Sequence, residues 1–176
     1  MNARQEDANL DPYVRLARQA IRAHVMDGLT IDPPRALPLE MERPAAAFVS
    51  IKKRGQLRGC MGTIEPTAPS AACEIVANAI KAATADPRFP PVQPKELAAL
   101  EISVDVLAPP EQVESDDLDP AQFGVIVESG WRRGLLLPDL PGVTSTQEQV
   151  RIARRKAGIA ADEPIVLWRF RVERHV

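Results

Sequence analysis

Aromatic residues make up only 4% of this 176-residue sequence, so its interior has to be built from Ala, Val, Leu and Ile rather than from rings. Cysteine occurs twice, at Cys60 and Cys73. With no C-x-x-C pair and no histidine cluster beside them, these thiols exclude a disulfide framework and offer no zinc site. Free thiols suit a reducing compartment. No run reaches the length of a membrane span, and the polar, mixed-charge opening "MNARQEDANL" lacks the apolar stretch of a signal peptide. A cytoplasmic protein with no membrane association is expected. A net charge of −2 and a pI near 5.8 give no global pull toward nucleic acid or anionic lipid. Internal repeats and low-complexity tracts are not evident. The sequence also lacks a phosphate-binding glycine loop, a metal triad and a G-x-S-x-G elbow, so neither cofactor nor metal is expected.

What is present has the pattern of one compact domain over residues 1–176, with room for a division into two subdomains; a chain of this size buries roughly 70% of its unfolded surface. "LDPYVRLARQAIRAHVMDG" reads as an amphipathic helix, with Asp11 as N-cap, Pro12 at the first turn and Gly28 as the stop. Four prolines in the stretch from Ile31 through Pro44 make a loop. "AAAFVSIKKRGQLRGCMGTIE" gives a hairpin turning at Lys53 to Gly55, and "FGVIVESGWRRGLLLP" a second one turning at Ser129 to Trp131. Between them lie an alanine-rich helix that places Cys73 in the core and the cleanly alternating strand "LEISVDVL". "TSTQEQVRIARRKAG" is a further helix, opened by the capping box of Ser145 and Glu148. "PIVLWRFRVERHV" is a terminal strand. The sum is an α+β fold, an antiparallel or mixed sheet flanked by helices, with Val49, Ile80, Val104, Val106 and Phe170 buried together.

The chemistry of the sequence gathers at "GQLRGCMGTIEP". In an extended strand Arg58 and Cys60 share a face with Cα atoms about 7 Å apart. At that distance the cation is worth about 2.4 kcal/mol to a thiolate at an effective dielectric near 20. Desolvation works the other way, so the sign depends on exposure. Gly59 and Gly62 admit the close approach either of a ligand or of another backbone. Two readings therefore stand side by side: a bulged packing strand, or a thiol presented beside a cation. Glu65 and Asp86 are the nearest acid or base groups, each also readable as a turn residue. In "DPRFPPV", Arg88 projects for binding while Phe89 is assigned to the core. His24 reads as the rim of a helix and His175 as a frayed terminus. Lys52, Lys53, Arg54 and Arg58 form one basic cluster and Arg151, Arg154, Arg155 and Lys156 another, which are solvated faces unless folding merges them.

The ordered set "LRGCMGTIEP", "DPRFPPV", "LEISVDVLAPPE", "GVIVESGWRRGLLLP" and "RKAG" resembles the AMMECR domain family, known in prokaryotes as AmmeMemoRadiSam system protein A. The likeness runs from about Leu16 to Arg171. It implies a compact α+β protein of two closely packed subdomains in which the LRGC-x-G segment lines a cleft. It also implies a pathway shared with Memo-like and radical S-adenosylmethionine proteins, the family's biochemical activity being unsettled. The positions matching the signature are Leu57, Arg58, Gly59, Cys60 and Gly62, then Asp86, Arg88, Phe89 and Pro91, with Gly134 and Pro138 downstream. Met61 stands where isoleucine is usual, a volume-conserving change. Arg154 stands where related sequences often carry cysteine, which weakens a dithiol mechanism. The leading expectation is a binding or accessory component that uses Arg58, Gly59, Gly62, Asp86 and Arg88. The alternatives are an enzyme with Cys60 as nucleophile or modified residue and, more weakly supported, a nucleic-acid binder.

Overall fold

The structure, a computed structural model, describes residues 10–176; the opening segment "MNARQEDANL", expected to carry no signal peptide, lies outside the described residues but for its last residue, Leu10. The chain forms two compact units, one made of the residues up to Val106 together with Arg174–Val176, the other of Leu107–Glu173. Among the described residues no helix is long and apolar enough to cross a membrane.

In the first unit, helix α1 (Pro12–Asp27) has the ends its sequence requires. The Asp11 carboxylate accepts the Tyr13 N–H at 2.8 Å, and Gly28 closes the helix at φ 70°, a left-handed conformation that glycine adopts without a Cβ clash. The proline-rich loop is anchored by a single turn, Leu39–Glu42, whose Met41 is fully buried. Strands β1 (Ala47–Lys53) and β2 (Gln56–Gly62) are joined by Arg54 and Gly55 at φ 54° and 73°, the double positive φ of a type I′ turn. Helix α2 (Ala71–Thr84) is capped by Ser70, and strand β3 (Leu100–Leu107) follows. With β8 (Val172–His175) the sheet order is β2-β1-β3-β8. Val49 and Ile51 face Val104 and Ile102 across the antiparallel β1–β3 pair and are buried with α1 and α2.

The second unit contains β4 (Glu111–Val113), β5 (Gly124–Ser129), β6 (Arg132–Leu136), helix α3 (Thr146–Ala157) and β7 (Val166–Phe170), in sheet order β4-β7-β5-β6. The strand pairs β5–β6, β5–β7 and β4–β7 are antiparallel. The terminal strand expected from the sequence is thus two strands, divided at Arg171 and belonging to different sheets.

Contrary to the sequence reading, the units repeat one plan: hairpin, Ser-capped helix, then a strand that pairs with the first strand of the hairpin. Gly59 and Gly134 occupy equivalent places, 75 residues apart, as do the caps Ser70 and Ser145. A Cβ added at Gly59 would lie 2.1 Å from the Ala82 carbonyl oxygen of α2, and one at Gly134 would lie 2.1 Å from the Ala153 carbonyl oxygen of α3. The repeat escapes the sequence because it is one of backbone plan and register, while most side chains differ.

Two burial expectations change with this architecture. Val49 and Val104 share the first core with the partly buried Ile80 and Val106, but Phe170 belongs to the second unit, its ring over Gly124. His175 is not frayed. Its ring stacks on Tyr13 at 3.7 Å and its Nδ1 lies 3.0 Å from Asp11 Oδ2, so it is almost fully buried.

Candidate functional site

Strand β2 is the edge of its sheet, and Cys60 sits on it opposite Ser50. Gly59 and Met61 point toward the helices, while Cys60 belongs to the other face, in a cross-strand row with Ser50 and Ser103. All three are half-buried. The Ser50 hydroxyl reaches the Cys60 sulfur at 3.3 Å.

The shared face expected for Arg58 and Cys60 is undone by a bulge. Ile51 pairs with Gly59 and Lys52 with Leu57, which leaves Arg58 as the extra residue, and a bulge re-aims the side chain it carries. The Arg58 guanidinium goes to Glu96, with Nε–Oε1 at 3.1 Å and Nη2–Oε2 at 2.9 Å, while Nη1 donates to the Pro90 carbonyl at 2.9 Å. Glu96 also accepts Lys53 Nζ at 2.8 Å and the Gln93 N–H at 3.0 Å. Hydrogen bonds from Arg58, then from Lys53 and Gln93, hold the Glu96 carboxyl well below the usual range against the opposing effect of burial. Arg58 is thereby committed to a strut between strand and turn.

The cation at Cys60 is instead Arg88. Asp86, 4% exposed, accepts the Cys60 N–H at 2.9 Å and grips Arg88 through Nε at 2.9 Å and Nη2 at 2.7 Å. Arg88 Nη2 also donates to the Cys60 carbonyl at 3.3 Å. The Asp86–Arg88 pair therefore satisfies both outward backbone groups of Cys60, as a neighbouring strand would. Hydrogen bonding to Arg88 is the largest influence on Asp86; with the Cys60 and Arg88 N–H bonds it outweighs burial and holds the carboxyl far below its ordinary value. The same bond to Asp86 raises Arg88. The Arg88 side chain is 54% exposed. Phe89, expected in the core, is half-buried, its ring 5.5 Å from the Arg88 guanidinium carbon.

The two glycines of the motif serve packing on opposite faces, Gly59 against the helix and Gly62, on the Cys60 face, under the Phe48 ring. Gly59 lets α2 approach, and a Cβ on Gly62 would meet the Phe48 ring at 2.2 Å. Cys73, expected in the core, is half-exposed in a groove of about 310 Å³ lined by Pro33, Leu37, Met41 and Ser70. Among the described residues no group of three or more His, Cys, Asp or Glu is placed to hold a metal ion. Much of the second basic cluster is bound locally, Arg151 to Glu148 and Arg154 to the carbonyls of Ala160 and Glu163. Sequence reasoning missed Ser50, Ser103 and Glu96. The two serines were visible as polar interruptions of β-branched runs, whereas Glu96 lies 38 residues from Arg58 and carries no local signal.

The AMMECR1 family model matches residues 14–175. A protein of Thermotoga maritima is 52% identical over 168 residues, covering 93% of this chain and 97% of its own. A protein of Clostridium acetobutylicum is 45% identical over 94% of this chain, which spans only 36% of that relative's length. The crystal structure of an uncharacterized protein from Pyrococcus horikoshii shares the fold with a TM-score of 0.85 at 34% identity, over 92% of this chain and 88% of that one. Family model, relatives and fold agree: the chain belongs to the AMMECR1 family.

Proposed function

We propose that this protein is a binding component of a cytoplasmic pathway shared with Memo-like and radical S-adenosylmethionine proteins, and that it recognises an anionic group of its partner or substrate at the corner formed by Cys60, Ser50 and Arg88. The whole chain acts as one AMMECR1-type domain, a reading supported by the span of the family match. The observation that carries the proposal is the contrast between equivalent rows. Cys60, Ser50 and Ser103 stand where the second unit has Leu135, Ile126 and Trp168. Leu135 and Ile126 are 3% and 1% exposed, so the shared plan accepts bulky apolar side chains there, and packing by itself gives no reason for a thiol and two hydroxyls. Arg88, held rigid by Asp86, keeps Nη1 free of any partner among the described residues, and a preorganised guanidinium is suited to carboxylate or phosphate.

Competing alkylation by iodoacetate, an anion, and neutral iodoacetamide tests this. Cys60 is expected to favour the anion relative to Cys73, Arg88→Ala to abolish that preference, and Arg58→Ala to leave it intact. An unchanged ratio in Arg88→Ala rejects anion recognition. Purified Memo-like and radical S-adenosylmethionine partners should be retained by wild type and lost by a folded Arg88→Ala; retention by both rejects the partner role. A second reading, with Cys60 as nucleophile, is favoured by the Ser50 hydroxyl donating to its sulfur. It requires a covalent adduct on Cys60 in the intact mass of the protein after incubation with those partners, absent from Cys60→Ser.

A further inference from the structure

Glu74 lies in the first turn of α2 and is 1% exposed, a carboxylate in the interior with no cation bonded to it among the described residues. Its oxygens accept the Thr63 hydroxyl at 2.7 Å, the Thr67 hydroxyl at 2.9 Å and the N–H groups of Thr67 and Ala68, both at 2.8 Å. The amide of Asn78 stands 3.4 Å away. One side chain thus closes both ends of the segment that leaves β2 three residues after Cys60. Burial opposes the charge on Glu74, and the hydrogen bonds from Thr63, Thr67 and Ala68 overcome it, keeping the carboxyl below its ordinary value.

The equivalent residue in the second unit is Gln149, also fully buried and 75 residues on. There the side-chain amide donates to the Phe123 carbonyl at 2.8 Å, just before β5. In the first unit the corresponding bond, to the Ala47 carbonyl at the start of β1, comes at 2.9 Å from Asn78, one helical turn later. The strand anchor has moved to Asn78, and the position it vacated carries a charge. An anchor alone explains Gln149; it does not explain a buried carboxylate that gathers four donors from one loop.

We infer that Glu74 is a positioning residue for the Cys60 corner: it fixes residues 63–68 in the pose that shapes access to the thiol and to Arg88. This inference rests on the reading of that corner as a recognition site. The mechanism is one of geometry. With the loop ends fixed, the tip Ile64 to Pro66 and the last residues of β2 hold one arrangement, so an incoming anion meets a preformed surface. A neutral amide at position 74 would turn an NH₂ toward N–H and O–H donors and release part of the loop.

Glu74→Gln is the test, because Gln149 shows that the plan accommodates glutamine at this place. Hydrogen exchange of the Thr67 and Ala68 amides is expected to accelerate by about tenfold or more, as fits the loss of hydrogen bonds to a charged acceptor. The alkylation rate of Cys60 by iodoacetamide should change severalfold, its preference for iodoacetate should fall, and Cys73 should be unaffected. Unchanged exchange at Thr67 and Ala68 overturns the inference. So does accelerated exchange with an unaltered rate and preference at Cys60, since the loop would then be decorative to the site. If Arg88→Ala also leaves the preference intact, the recognition reading itself falls, which separates the two failures. Should Glu74→Gln not fold, Thr67→Val, which removes one hydroxyl donor and no charge, carries the same two readouts with smaller expected changes.

Discussion

The two units solve the same packing problem with opposite chemistry on one sheet face. In both, an edge-strand glycine admits a helix, a serine caps that helix and a cation covers a strand carbonyl: Lys156 bonds the Leu135 oxygen at 2.7 Å, and Arg88 bonds the Cys60 oxygen at 3.3 Å. The second unit fills the row beyond with Leu135, Ile126 and Trp168; the first leaves Cys60, Ser50 and Ser103. The first unit also adds a bulge at Arg58, whose counterpart Arg133 pairs regularly with Glu128, and charges the buried helix position with Glu74. A shared plan separates what the fold requires from what one copy has been given in addition. By that test Gly59 and the cation on the strand carbonyl are architecture, whereas Cys60, Asp86 and the charge of Glu74 are additions.

The equivalence would break most sharply at the glycines. Gly59→Ala and Gly134→Ala each drive a Cβ into a helix carbonyl and should lower stability by about 3 kcal/mol in chemical denaturation, the upper part of the usual overpacking range. If one is silent, the two places are not equivalent. The contrast between the rows is sharpened by truncation. Leu135→Ala should cost about 2–3 kcal/mol as a buried large-to-small change, and Cys60→Ala less than about 1 kcal/mol; equal losses would make Cys60 a packing residue.

Acid should separate the units next. Asp86, Glu96 and Glu74 have carboxyl groups depressed in the folded state by their partners. A depressed group contributes stability that is fully present above its unfolded value, about 4, and that is lost as pH falls through the folded value. Residue-resolved hydrogen exchange between pH 7 and 3 should therefore show protection falling first around α2 and β2. The second unit has neutral Gln149 at the buried position, and its depressed carboxylates Glu148 and Glu163 are half-exposed in surface ion pairs with Arg151 and Arg132, where such pairs count for little. The smallest effect belongs to Trp131, which is 90% exposed on its hairpin tip: Trp131→Ala should shift stability by no more than about 0.5 kcal/mol.

Much of the fold was legible because its signals are short-ranged. Asp11, Ser70 and Ser145 act on amides two or three residues away, and Gly28 and Gly158 take the left-handed φ that ends their helices. Both hairpins turn where their glycines stand. The site was legible in its members but not in its arrangement. Cys60, Asp86 and Arg88 were named from the sequence and are brought together, while the cation expected beside Cys60 is Arg88 and not Arg58. The alternation rule that put Arg58 beside the thiol holds only while the register is unbroken, and one extra residue in β2 cancels it.

The sequence by itself determined the helices, the turns and the inward faces of β1 and β3, because these follow from backbone sterics and from hydrogen bonds within about one helical turn, whereas in β7 it is Leu167 and not Val166 that packs on the helix. Only the tertiary structure decided which cation meets Cys60, that Glu96 holds Arg58 from 38 residues away, that Glu74 gathers the loop after β2, and that two unlike stretches repeat one plan. Those outcomes depend on strand register and on the close approach of helix to sheet. Both are set by the sum of many contacts distant in sequence, and no local pattern of residues encodes them.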